Sequence, residues 1–104
     1  MSKTIYRSNL DRIFEQVYYE ESGNSNNDFI FDVKKCKKGL VIIAGNLSFT
    51  ISGSAEFGNP QNFAPIKSGN ITDIDYEGWH FPWSFIKISI ISTSPYEIWV
   101  KGSA

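Results

Sequence analysis

The chain has 104 residues, of which 41% are hydrophobic, with 10 basic and 11 acidic side chains. A domain of this length buries about two-thirds of its unfolded surface and needs no metal or disulfide to fold. The apolar content excludes a disordered chain, and the near-zero net charge lacks the basic excess of a nucleic-acid binder. We therefore expect one globular domain with no nucleic-acid partner.

One cysteine, Cys36, and a charged N-terminal segment bear on the cellular compartment. A single cysteine cannot form a disulfide framework within the chain, which argues against a small secreted scaffold. The N-terminal segment lacks the apolar core of a signal peptide, and the longest apolar runs are too short to cross a bilayer. We expect a soluble protein without a membrane partner, made in a cytoplasm and kept or assembled there.

Residues 1–27 are predicted to form an N-terminal arm or short helix followed by a polar linker. Over residues 9–19 apolar side chains recur at helical spacing, which favours an amphipathic helix. The alternative is an extended arm, because the run VYY at 17–19 favours a strand. The apolar stripe consists of Leu10, Ile13, Phe14, Val17 and Tyr18. Since this stripe must be covered, we expect it to be an assembly arm that contacts another subunit or a larger particle, joined by a linker at 21–28. The alternative, which the linker length also allows, is that the segment packs on its own sandwich.

Residues 28–104 are predicted to form a β-sandwich, because the apolar period changes to two after the linker. The alternating runs occupy residues 28–34, 46–54, 71–78, 84–93 and 96–102. Residues 39–45 are apolar on both faces, as expected of a central strand. The predicted fold class is all-β: an antiparallel β-sandwich of about six to eight strands with a short N-terminal helix or arm.

Two details inside this sandwich are also predicted. In the run 71–78, Ile74 and Tyr76 are expected to face inward. The side chains expected to face solvent from that run are Asp73, Asp75 and Glu77. Residues 57–70 hold two prolines and two glycines and are predicted to be a long loop.

Residues 77–85, EGWHFPWSF, concentrate aromatic side chains beside the only histidine. Gly78 and Pro82 are turn residues, so we expect a corner between two regular strands. The aromatics either close the end of the sandwich, which we favour, or form a contact surface for a protein or a sugar. The candidate partner- or ligand-contact residues are Trp79, His80, Phe81 and Trp83.

No constellation of catalytic or metal-binding residues is apparent in the sequence. One histidine and one cysteine cannot supply the three or four ligands of a transition-metal site. No serine near His80 lies in a recognisable nucleophile turn. We expect no catalytic residues, no metal and no cofactor, and therefore not an enzyme.

The runs GLVIIAG, TISGSAEF and SFIKISI fill the places of a pattern that spans residues 28–102. This pattern resembles small bacteriophage virion β-sandwich proteins, in which a glycine-hydrophobic strand is followed by a strand ending in GS, a loop and an aromatic–aliphatic–basic strand. The resemblance implies a capsid-decoration or tail-associated protein, located in the virion and assembled in the host cytoplasm. It implies no catalytic residues.

The sequence thus leads to two hypotheses of different classes. The first is a non-enzymatic structural protein of a virus particle, which oligomerises with itself through apolar surfaces and contacts a larger capsid or tail protein. The alternative is a carbohydrate-binding β-sandwich module that stacks exposed aromatic side chains on a glycan. The residues considered for that platform are Trp79, Phe81, Trp83 and Trp99.

Overall fold

A computed structural model describes residues 4–7, 17–34 and 36–103, which form nine β-strands and no helix. The strands are β1 (Thr4–Arg7), β2 (Val17–Gly23), β3 (Asn27–Asp32), β4 (Lys38–Gly45), β5 (Leu47–Ser54), β6 (Ala64–Ile71), β7 (Ile74–Trp79), β8 (Phe85–Ile91) and β9 (Tyr96–Ser103). In this part of the chain there is accordingly no helix with the length and apolar character needed to span a membrane. The predicted all-β class is confirmed.

The strands form a five-stranded sheet in the order β1-β3-β8-β5-β6 and a four-stranded sheet in the order β2-β9-β4-β7. Eight strands form nested antiparallel pairs: β2 with β9, β3 with β8, β4 with β7, and β5 with β6. The chain therefore resembles a long hairpin, doubled back between β5 and β6 and wrapped around itself, which is the jelly-roll arrangement. The ninth strand, β1, adds to β3 in parallel at the sheet edge.

The core lies between the two sheets and is built by alternate residues of the strands. The alternation predicted for 28–34, 84–93 and 96–102 is confirmed, because the apolar side chains predicted to share the inward face are buried, although Ile30 and Phe85 on the opposite face are buried as well. The fully buried large side chains include Phe29, Phe31, Val33, Ile86, Ile88, Ile90, Ile98 and Val100. Aromatic contacts join the sheets: the rings of Tyr19 in β2 and Phe31 in β3 have centroids 5.1 Å apart.

The helix predicted over residues 9–19 is wrong at 17–19, which belong to strand β2. Val17 and Tyr19 are buried and Tyr18 between them is 57% exposed, a period of two. The whole strand pairs with β9, so the β-branched and aromatic run VYY gains a ladder of backbone hydrogen bonds there. The remaining residues of the predicted helix lie outside the described residues.

The predicted linker at 21–28 is largely strand. Strand β2 continues to Gly23 and β3 begins at Asn27, so the connection between the sheets comprises only residues 24–26. The loop is fixed by the Tyr96 hydroxyl, which donates to the Ser25 carbonyl at 2.8 Å and accepts from Asn27 Nδ2 at 2.7 Å. Polar composition here reflects a tight turn between two sheets.

The loop predicted over residues 57–70 is also partly wrong, because residues 64–71 form strand β6. Pro65 is tolerated there because β6 is the edge strand of its sheet and the pairing with β5 is irregular between Ile51 and Ser52, next to this proline. The true loop comprises residues 55–63. It is closed by the Glu56 carboxylate, which accepts the backbone N–H groups of Gln61 and Asn62, both at 2.7 Å.

Candidate functional site: an apolar sheet face

Strand β7 presents its side chains in the opposite sense to the prediction. Ile74 and Tyr76 are 58% and 69% exposed. Asp75 and Glu77 pair in register with the core residues of β4 and so lie on the inward side. Since successive side chains of a strand point to opposite faces, the residues predicted to face inward here face solvent, and those predicted to face solvent lie inward.

Trp79 shares a face of β7 with Asp75 and Glu77, and burial of its ring in the core sets this face inward. The two carboxylates on that face are also paired. Strand β7 is the edge of the four-stranded sheet, so its inward positions lie at the open side of the sandwich. There the Lys67 ammonium of β6 lies 3.1 Å from Asp75 Oδ2 and 3.9 Å from Glu77 Oε1. The Tyr76 backbone N–H also donates to Asp75 Oδ1 at 2.8 Å. These contacts hold the pKa of Asp75 below its ordinary value, with the Tyr76 hydrogen bond as the larger cause and Lys67 as the next.

As a result, the outer face of the four-stranded sheet is unusually apolar. We call it the apolar sheet face; its members are Tyr18, Leu40, Ile42, Ile74, Tyr76 and Trp99. Four of them are exposed by 38–69%, and all except Tyr76 line a shallow depression that Lys101 also lines. Contiguous apolar patches of this kind on a protein surface mark interaction sites.

The strand register arranges this outer face in three rows. The central row contains Glu20, Trp99, Ile42 and Tyr76. The row on one side contains Tyr18, Lys101, Leu40 and Gly78. The row on the other side contains Ser22, Glu97, Ala44 and Ile74. Apolar side chains thus run across all four strands, and the charged groups sit along β2 and β9.

Three charged groups frame the apolar members. Glu20 Oε1 accepts a hydrogen bond of 3.2 Å from Trp99 Nε1, which fixes the indole on the sheet. Lys101 and Glu97 are exposed and lie two residues to either side of Trp99 on the same strand. The centre of the face is therefore apolar, with one positive and one negative group at opposite ends of β9.

The aromatic stretch at 77–85 divides between core and surface. Trp79 is buried, and its ring lies against Gly39 so closely that a Cβ there would overlap it. Trp83 is half-buried over Gly53. His80 is exposed and so is Phe81, whose ring centroid is 4.5 Å from that of Trp83. Trp79 therefore closes this end of the sandwich, whereas Phe81 does not, and a contact role for this stretch stays a prediction.

Sequence reasoning named two members of the apolar sheet face and missed four. Tyr18 was assigned to the arm and Trp99 to a glycan platform, while Val17 of the arm stripe is buried in the chain's own core. Leu10, Ile13 and Phe14 lie outside the described residues, so the assembly-arm role stays a prediction. The available signal for Leu40 and Ile42 was the run 39–45, whose second apolar face is this surface.

The site has no cluster of metal-ligating side chains among the described residues. Among the described residues, no three His, Cys, Asp or Glu side chains converge in a way that could hold a metal ion. Cys36 is buried. The apolar sheet face consists of aromatic and aliphatic side chains with a few charged groups around them, which suits non-covalent binding.

No protein-family model matches the sequence, and no curated protein matches it significantly. The fold is similar to that of solved structures. One is YomS, a protein derived from the SPBc2 prophage, which is 14% identical with a TM-score of 0.65 over 84% of this chain and 91% of that one. Another is PliG of Aeromonas hydrophila, a periplasmic inhibitor of g-type lysozyme, at 10% identity and a TM-score of 0.56 over 99% and 100%.

A third similar structure is the pre-peptidase C-terminal domain of a collagenase from Bacillus anthracis, 11% identical with a TM-score of 0.57 over 93% of both chains. At these identities the likeness concerns the fold alone. The prophage-derived structure agrees, at the level of fold, with the sequence resemblance to small phage β-sandwich proteins.

Proposed function

We propose that the chain is a non-enzymatic structural protein of a bacteriophage particle, decorating the capsid or joining the tail, and that it assembles through the apolar sheet face. The observation that carries the proposal is this face of six apolar side chains on a chain of only 104 residues. The phage-like strand pattern and the prophage-derived fold support the particle assignment.

The energetics favour a protein partner. Fully burying one large apolar side chain contributes about 1.5–3 kcal/mol. Tyr18, Ile74, Tyr76 and Leu40 are 38–69% exposed, so burying what remains contributes about 3–7 kcal/mol. Together with the apolar surface that the partner buries, this is comparable to the cost of association of about 4–15 kcal/mol. The aliphatic members suit another apolar protein surface, because they offer no hydrogen bond to a polar ligand.

The test uses particles purified on a density gradient from the strain that carries the gene. We expect the chain to co-sediment with them. The double variant Ile74→Ser/Tyr76→Ser should be lost from the particles while keeping its melting temperature, because both side chains are exposed on an edge strand.

The matched control is Phe57→Ser/Ile91→Ser, which removes two exposed apolar side chains outside the apolar sheet face. This variant should remain bound to particles. Absence of the wild-type chain from particles, or equal behaviour of the two double variants, contradicts the proposal.

A carbohydrate-binding module is the second candidate function, and one contact favours it. The Trp99 indole is held by the Glu20 carboxylate beside the exposed ring of Tyr18, and an aromatic face next to a carboxylate suits the CH face and hydroxyl groups of a sugar. Binding on a glycan array that is abolished by Trp99→Ala, with an unchanged melting temperature, would establish this function instead.

A further inference from the structure

We infer that the occupant of the apolar sheet face is the same face of a second copy of this chain, in a two-fold symmetric dimer. This inference rests on the proposed function, which makes the face an assembly surface, and it adds the identity of the partner. The pattern of charge and the shape of the face support this dimer, and the size of the face bears on its strength.

Charge determines how two copies fit. When two identical faces meet about a two-fold axis lying along the central row, the two outer rows exchange places. Lys101 of one copy then stands opposite the partner's Glu97, and the same pair forms again by symmetry, because both residues lie on β9. On one chain these two residues are four positions apart, about 13 Å along the strand, so the charges pair between copies.

The same axis also matches shape. Gly78, which leaves a gap in its row, meets the partner's Ile74, and Leu40 meets the partner's small Ala44. An axis along the strands would instead place Lys101 on Leu40 and Glu97 on Ala44. Two charges would then be buried without partners at a cost of several kcal/mol each, so the charge pattern selects the first arrangement.

One like-charged contact has to be accommodated. Glu20 stands in the central row and would meet the partner's Glu20, but it lies on the outermost strand β2. On this edge strand Glu20 lies at the rim of the interface, where water and salt screen the two carboxylates. Glu20 also keeps its hydrogen bond to Trp99 within its own chain.

The size of the face is that of a small contact. The three rows span five residues of each strand, so four strands about 4.8 Å apart cover roughly 330 Å² in projection. This is below the roughly 800 Å² per partner of a standard interface, so the contact should be weak. We therefore expect a dimer whose population depends on protein concentration.

The experiment is sedimentation equilibrium of the full chain over a range of concentrations. The wild type should dimerise. Lys101→Glu and Glu97→Lys should each raise the dissociation constant at least tenfold, since symmetry makes each change act twice. The double variant Lys101→Glu/Glu97→Lys should restore the wild-type constant to within about threefold, because the pair re-forms with opposite sign.

The control is Lys87→Glu, the same chemical change on β8 of the other sheet, which should leave the constant unchanged. The inference is overturned if either single charge reversal has no effect or if the double variant stays dissociated. It is also overturned if replacing residues 8–16 with a Gly/Ser linker of equal length, which retains β1, turns a monomer into a dimer, because the chain's own segment would then be the occupant.

The outcomes separate this inference from the proposed function. A wild-type monomer that still needs Ile74 and Tyr76 for particle binding overturns the dimer and leaves the structural role standing, with a particle protein on the face. A dimer that shows charge-reversal rescue but is absent from particles supports the inference and contradicts the particle assignment.

Discussion

The Lys67 ammonium lies 3.1 Å from the Asp75 carboxylate, so one ion pair connects the edge strands of the two sheets, β6 and β7. It pairs an inward carboxylate of β7, whose inward face is set by the buried ring of Trp79. Because side chains alternate along a strand, the same orientation places Tyr76 on the outer surface. The apolar sheet face thus depends on residues of β7 that are not part of it.

Stability should depend on the ionisation of Asp75. Its folded-state pKa is lowered, by the Tyr76 N–H first and Lys67 second, so its contribution is complete above the ordinary value of 3.8 and is lost as pH falls through the lowered pKa. Asp75→Asn should therefore lower the melting temperature at neutral pH and remove part of its acid dependence. Parallel curves for wild type and variant below about pH 4 would contradict this, and Asp73→Asn on the adjacent turn is the control.

Gly39 should not tolerate a side chain. A Cβ at this position would overlap the Trp79 ring and crowd the Lys101 backbone carbonyl. Overpacking of this kind costs about 1–3 kcal/mol, so Gly39→Ala should lower the free energy of unfolding by that amount in urea denaturation. Gly58→Ala is the matched control, since a Cβ there meets nothing within 4 Å. Equal effects of the two substitutions would refute the close packing.

Aromatic residues of the stretch 77–85 should differ in how much they contribute to the free energy of unfolding. Trp79→Ala removes a buried ring and should cost about 3–5 kcal/mol of unfolding free energy. Phe81→Ala removes a ring that is 54% exposed and should change it by about 0.5 kcal/mol or less. Chemical denaturation measures both. A large loss for Phe81→Ala would show that this ring also closes the end of the sandwich.

Tyr96 should lock the turn at residues 24–26. Tyr96→Phe removes the hydroxyl that accepts from Asn27 and donates to Ser25, and it leaves one buried amide N–H of Asn27 without this acceptor. The expected loss is about 1–3 kcal/mol. Thermal melts should show it at neutral pH, and a variant as stable as the wild type would mean that water replaces the hydroxyl.

Tyr96 should also make the stability of the protein depend on pH in the alkaline range. Burial raises the pKa of Tyr96 above its ordinary value of 10.0, although the Asn27 hydrogen bond opposes the shift. The stability that this group contributes is therefore present below pH 10 and lost as pH rises through the raised folded-state pKa. The melting temperature of the wild type should fall more steeply above pH 10 than that of Tyr96→Phe, and a variant curve that falls as steeply would contradict the assignment.

The strands that were predicted correctly have one face in the core and the other mostly in solvent. Phe49 and Ile88 lie in runs in which apolar and polar residues alternate, and both are in the core. Strand β6 was missed because Pro65 is normally excluded from strands and is acceptable here only at an edge. Strand β7 was predicted in the wrong sense because hydrophobicity alone assigned Tyr76 to the core, whereas the buried ring of Trp79 sets the face that carries Asp75 inward.

The apolar sheet face was beyond sequence reasoning for a different reason. Tyr18 and Trp99 were both singled out, but for unrelated roles, and only the pairing of β2 with β9 brings them onto one surface. Strand order follows from many non-local pairings, which no local pattern specifies. The composition of β4 was the one local indication of this face, because residues 39–45 are apolar on both sides of the strand.

The position of β9 between β2 and β4 determines when the protein can fold during synthesis. Val17 in β2 pairs with Gly102 in β9, so this pair cannot form until Gly102 has been synthesised. Strand β9 also pairs with β4, so the four-stranded sheet cannot assemble until residues 96–103 have emerged from the ribosome. Such distant pairings make folding slow, typically milliseconds to seconds. Because Trp99, Lys101 and Glu97 all lie on β9, a nascent chain lacks the central part of the apolar sheet face until residues 96–103 have been synthesised.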